Sequence, residues 1–87
     1  MKGITKTGFE FEIDPKVLDD WDILDLLGEL QSGNLLVAPK FVRAILGDEE
    51  AKKLIDHCRT KNGKAPTQPV LDEIFDIFSQ LNEGKNS

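Results

Sequence analysis

The chain has little of the chemistry that enzymes use. Its 87 residues hold one Cys, one His, one Trp and no Tyr. With Cys58 alone, no intramolecular disulfide can form, which fits a reducing cytoplasm. Zinc takes about four ligands, and even a catalytic site draws three of them from protein. His57 and Cys58 have no further soft ligands to join them. As neighbours on a helix they project about 100° apart, so they do not form a natural dyad. Cys58 reads as a small core residue on an apolar stripe, and His57 as an exposed residue near a helix end. Neither a Walker pattern nor a Gly-x-Gly-x-x-Gly loop is present, so no phosphate cradle is expected. No apolar run approaches the roughly 20 residues that span a bilayer. The opening Met1-Lys2-Gly3-Ile4-Thr5-Lys6 lacks the apolar stretch of a signal peptide. Basic residues are outnumbered, 11 to 16, for a formal charge of −5. Such a surface repels phosphate backbones and anionic lipid. An enzyme, a metal site, a cofactor, a nucleic-acid partner and a membrane are therefore all outside expectation.

Two sharper readings of the acidic residues also fail. Asp19, Asp20, Asp22, Asp25 and Glu29 suggest calcium, but an EF-hand loop needs Gly at its sixth position. Counting from Asp20, that position is Asp25, and the fifth is Leu24. These carboxylates read instead as a solvated helix face. A small acidic helical chain is also similar to acyl carrier proteins, which carry their prosthetic group on Ser in Asp-Ser-Leu. Here Ser occurs in Gln31-Ser32-Gly33, in Phe78-Ser79-Gln80 and at Ser87, and none fits.

What the chain does contain is amphipathic periodicity. Gly8-Phe9-Glu10-Phe11-Glu12-Ile13 alternates with the period of a half-buried strand. Ile4 and Lys6-Thr7-Gly8 supply a partner strand and a turn. A two-stranded hairpin must pack on something, so Phe9, Phe11 and Ile13 are expected against helices. Asp14-Pro15 stops the strand and is suited to start a helix; Asp19 and Asp20 offer a second start. Leu18, Trp21, Leu24, Leu27 and Leu30 mark a helical stripe that Ile23 and Leu26 widen, ending at Ser32-Gly33-Asn34. After Leu35-Leu36-Val37-Ala38-Pro39, residues Ala38, Phe41, Val42, Ile45 and Leu46 recur at helical spacing up to Gly47. Ala51, Leu54, Ile55 and Cys58 repeat the pattern. A turn-rich stretch from Thr60 to Pro66 leads to the last helix, capped by Thr67 and carrying Val70, Leu71, Ile74, Phe75, Ile77, Phe78 and Leu81.

The expected fold is mainly α: a compact bundle of about four helices with a small N-terminal β-hairpin. Residues 1–82 form a single domain, with the β element at 1–13, and 83–87 form a flexible polar tail. A core this small contributes only a few kcal/mol net, so a homo-oligomer would help it. The last helix is apolar over more than one face. A stripe that wide has a second surface to cover, either a copy of itself or a partner helix.

The order of segments resembles the tail assembly chaperones of long-tailed bacteriophages and prophages of Gram-positive bacteria. The residues that carry the likeness are Phe9-Glu10-Phe11-Glu12-Ile13, Leu18-Asp19-Asp20-Trp21-Asp22-Ile23-Leu24-Asp25 and Asn34 through Pro39. They continue with Leu46-Gly47-Asp48-Glu49, Asp56-His57, Asn62-Gly63-Lys64 and Lys85-Asn86-Ser87. The likeness spans most of the chain and rests on order and length together. It implies a mainly helical protein without catalytic residues that binds the tape measure protein, a long helical chain, and keeps it soluble until tube subunits polymerise around it. It implies action in the bacterial host cytoplasm and absence from the mature virion. It also implies a longer product of ribosomal slippage that engages the tail tube protein. Gly84-Lys85-Asn86 can be encoded by GGA AAA AAC, which contains a slippery run; a broken A-run in the gene would remove that expectation. On this reading the candidate partner contacts are Trp21, Ile74, Phe75, Phe78 and Leu81. The competing reading is a small acidic inhibitor or adaptor that presents carboxylates to a host protein. Salt separates the two, because charge-led binding weakens steeply with salt and apolar burial does not.

Overall fold

The computed structural model describes the backbone of residues 1–86 and the side chains of residues 1–83. Two short antiparallel strands, β1 (Lys2–Ile4) and β2 (Glu10–Glu12), open the chain, with Gly3 opposite Phe11. A Cβ on Gly3 would crowd the Phe11 ring, so any larger residue there forces that ring to move. The alternation of the segment does what its period demands, turning Phe9 and Phe11 into the core and leaving Glu10 and Glu12 exposed.

Both candidate helix starts are used, by different elements. Asp14 accepts from the Lys16 amide and caps a 3-10 helix at Pro15–Leu18. Asp20 accepts from the Asp22 amide and caps α1 (Trp21–Gln31). Gly33, with φ 103°, then turns the chain after α1. A second 3-10 turn at Leu35–Val37 leads into α2 (Ala38–Leu46), which has Pro39 in its first turn. After Gly47 comes α3 (Asp48–His57), whose first turn carries Asp48, Glu49 and Glu50, the sign that the helix dipole favours. The last helix, α4 (Thr67–Asn86), runs four residues past the expected domain end at 82. The expected polar tail at 83–87 is therefore helical over 83–86, and Ser87 lies outside the described residues.

Helix α1 packs on α2, α2 on α3, and α4 lies across α3, β1 and the first 3-10 helix. Their inward faces share one core in which Phe41, Leu54, Ile74, Ile77 and Leu81 are fully buried. The radius of gyration is 12.5 Å, against about 12 Å expected for a globule of this length. The fold class is thus the expected one: mainly α, four helices and a small hairpin.

One helix is rotated from expectation. The stripe Leu18–Trp21–Leu24–Leu27–Leu30 is not the buried face of α1. Ile23, Leu26 and Leu30 are buried and Leu27 half-buried, whereas Trp21 and Leu24 face solvent. The cause is the break at Asp19–Asp20. Leu18 belongs to a separate 3-10 helix, so α1 takes its phase from Trp21. At about 100° per residue, Ile23, Leu26, Leu27 and Leu30 then share one side, and Trp21, Leu24 and Gly28 the other.

Candidate interaction surface

The outer side of α1 is the most unusual surface of the molecule. Trp21 is 81% exposed and Leu24 59% exposed. Together with Asp25, Gly28, Glu29 and Ser32 they line a shallow groove of about 390 Å³ along the helix. Just beyond the end of α1, the 3-10 turn leaves Leu35 half-exposed and Leu36 90% exposed. Four large apolar side chains in residues 21–36 thus face water. A single exposed Leu is unremarkable on a soluble domain; Trp21 and Leu24, which share the groove, are the candidates for contact with a partner.

Charge is concentrated in the same place. Residues 17–39 hold Asp19, Asp20, Asp22, Asp25 and Glu29 and no Lys or Arg. The other 64 residues balance at 11 acids and 11 bases, which follows from subtracting these five acids from the 16 in the chain. The whole net charge of −5 therefore sits in the segment that carries the exposed apolar side chains. Trp21 is the only Trp in the chain, so it reports on this face alone. Its emission is expected to match that of a fully hydrated indole and to quench readily with acrylamide; a blue-shifted, protected emission would contradict the exposed placement.

The structure separates the five candidate contacts. Trp21 is open to a partner. Ile74 and Leu81 are fully buried among core side chains and are corrected from contacts to core: no partner reaches them without unfolding α4. Phe75 and Phe78 are half-buried, and their rings lie 6.3 and 6.4 Å from that of Phe41, tilted as aromatic pairs prefer. The extra width of the α4 stripe is thus largely taken up inside the molecule by α2. Leu24, Leu35 and Leu36 were not among the candidates. The legible signal for the last two was an apolar pair wedged between Gly33-Asn34 and Pro39, too short to be a helix face of its own.

A second cluster was also missed. Glu73 is buried at the edge of the α4 core face, and one of its carboxylate oxygens has no hydrogen-bond partner. The other accepts from the Thr7 hydroxyl in the hairpin turn. The same hydroxyl lies 2.9 Å from His57 Nε2, so one oxygen joins the hairpin turn to both α4 and α3. The His57 ring also lies against Phe9, with centroids 5.5 Å apart. The hairpin is pinned further by Gln80, which donates to the Ile4 carbonyl, and by the Lys6 amide, which donates to Asp76. Thr7 thus clips the hairpin to α3 and α4. Burial, reinforced by the nearby Glu73 charge, pushes the Cys58 thiol up from its ordinary value. The readable signal was a lone carboxylate, Glu73, beside Val70 and Ile77 on an apolar helix face.

Removing the Thr7 hydroxyl leaves the buried carboxylate without its protein donor. Thr7→Val is expected to lower stability by about 1–3 kcal/mol. Adding Glu73→Leu in the same chain should recover part of that loss, because an apolar pair has no unmet partner. Urea unfolding of Thr7→Val, Glu73→Leu and the double variant measures this, and additive losses would contradict the clip.

A scan against protein-family models, a search of curated proteins and a search of solved structures each match nothing. Among the described residues no group of three or more His, Cys, Asp or Glu could hold a metal ion, and no helix is long and apolar enough to cross a membrane.

Proposed function

We propose that this chain is a tail assembly chaperone of long-tailed phages or prophages, a binding protein that keeps the helical tape measure protein soluble while the tail is built. The observation that supports this reading most is the α1 outer face. There Trp21 and Leu24 stand in water over an open groove. A long amphipathic helix exposes an apolar stripe of matching chemistry, and helix-in-groove contact covers both surfaces reversibly. The acidic residues around the groove keep a coated complex soluble. On this reading the client contacts are Trp21 and Leu24, with Leu35 and Leu36 as further exposed apolar candidates and Phe75 and Phe78 offering only their half-exposed edges. Self-association of the chain, a longer frameshifted form that reaches the tail tube protein, and a place in the host cytoplasm belong to the same proposal.

Affinity purification of the chain from its native cells during phage production, with mass spectrometry of everything recovered, tests it. The expected recovery is a long helical tail protein together with a C-terminally extended form of this chain. Recovery of a host nucleic-acid enzyme that moderate salt releases would replace the chaperone with the acidic inhibitor.

A further inference from the structure

We infer that the groove on α1 takes a helix whose apolar stripe is flanked by Lys or Arg, and that a second copy of this chain is not its occupant. The inference rests on the proposed binding role and names the chemistry of the partner segment.

Three observations carry it. The first is Gly28. It lies in the interior of α1, where Gly disfavours the helix relative to Ala. Nothing in the fold asks for it: its φ is not in the left-handed range, and a Cβ built on it meets no atom within 4 Å. The residue lines the groove between Leu24 and Ser32. A missing side chain on an exposed helix face lets a second backbone approach closely, as small residues do where helices pack tightly. The demand for Gly thus comes from outside the chain.

The second is shape. Trp21, Leu24 and Gly28 fall at i, i+3 and i+7, one line along the helix. That line offers a ring, a branched side chain and a gap, which is what ridges of a facing helix pack against.

The third is charge, which decides between occupants. Asp25 and Glu29 border the line on one side, Asp22 lies a step further around the helix, and no basic residue lies between Lys16 and Lys40. A symmetric pair through this face would set these carboxylates against their own copies, because an isologous contact brings a patch onto itself. Like charges so placed oppose association. A helix with basic flanks meets the same carboxylates with opposite sign and gains both attraction and orientation. Any self-assembly of the chain then uses other surfaces.

The test uses the full chain and three synthetic helical peptides of equal length. One has a Leu stripe flanked by Lys, the second the same stripe flanked by Glu, and the third Lys flanks with the stripe changed to Ser. Trp21 emission reads occupancy directly. The Lys-flanked Leu peptide is expected to shift it to the blue and to bind at least about tenfold more tightly than the other two at low salt, a preference that is about 1.4 kcal/mol. With rising salt the ratio of Lys to Glu flanks should shrink while the Leu peptide still binds. Gly28→Ala should raise the thermal midpoint and yet weaken that peptide about tenfold, a split that a purely structural Gly would not show. Equal binding of the Lys-flanked and Glu-flanked peptides, no binding of any, or indifference to Gly28→Ala would each overturn the inference. So would a concentration-dependent dimer of the chain alone with a blue-shifted Trp21. If the Lys preference holds but no helical tail protein is recovered from phage-producing cells, the surface chemistry stands and the chaperone reading falls. If the tail protein is recovered but the peptides bind alike, the reverse is true.

Discussion

Phe41→Ala is expected to remove about 3–5 kcal/mol of stability, the usual cost of deleting a fully buried aromatic ring. The ring has no exposed surface and touches two others, Phe75 and Phe78, which tie α2 to α4. Its loss opens a cavity between the two helices and frees both partners. A domain of 87 residues, at roughly 0.05–0.15 kcal/mol per residue, has only about 4–13 kcal/mol in total. The variant is therefore expected to melt at least roughly 12 °C lower, and to be partly unfolded at 37 °C if the parent sits at the low end. Thermal and urea unfolding followed by circular dichroism measure this. Leu36→Ala, on a side chain 90% exposed, is the control and should change stability by no more than about 0.5 kcal/mol. A small loss at Phe41, or a large one at Leu36, would mean that the core is not where the structure places it.

The second large effect is on binding. Leu24→Asp should weaken capture of the helical client at least about a hundredfold while leaving the melting curve nearly unchanged. Burying a Leu contributes about 1.5–3 kcal/mol. A carboxylate in its place must be desolvated against the client stripe and adds to the negative charge of Asp22, Asp25 and Glu29. Together these exceed the roughly 2.7 kcal/mol that a hundredfold change represents. The fold tolerates the change because Leu24 is 59% exposed and lies opposite the buried side of α1. Phe75→Ala is the informative contrast. It should lower stability through its packing on Phe41 and leave client affinity of the folded fraction almost intact. Titration of the client segment by isothermal calorimetry separates the two variants. Loss of affinity at Phe75 with none at Leu24 would move the binding face to α4.

The contrast between these positions shows what the sequence can and cannot disclose. Period-two alternation at Phe9–Ile13, the Asp caps at 14 and 20, Gly33 and the 3.6-residue spacing in α2, α3 and α4 are local signals, and the elements they predict are present. The burial phase of α1 is not a local property. Residues 17–30 hold apolar side chains on every side of a helical projection, so the pattern fits more than one rotation. Where the helix begins selects the phase, and two good caps stand six residues apart. The chain resolves the choice by using Asp14 for a 3-10 helix and Asp20 for α1. Trp21 then emerges as an exposed residue, while Ile74 and Leu81 become core. The clip of Thr7 to Glu73 and His57 links residues 66 and 50 positions apart. No spacing rule reaches that far along a chain; only the return of α4 across the hairpin brings them together.

The most direct test of the proposed chaperone role is co-expression of this protein with a tape measure chain encoded beside it. The soluble client is measured beside wild type, Leu24→Asp and no partner. The expected result is a soluble complex with wild type and an insoluble client with Leu24→Asp or alone, although the Leu24→Asp protein itself stays folded. A client that remains insoluble beside wild type, or that is rescued equally by both forms, would contradict the account.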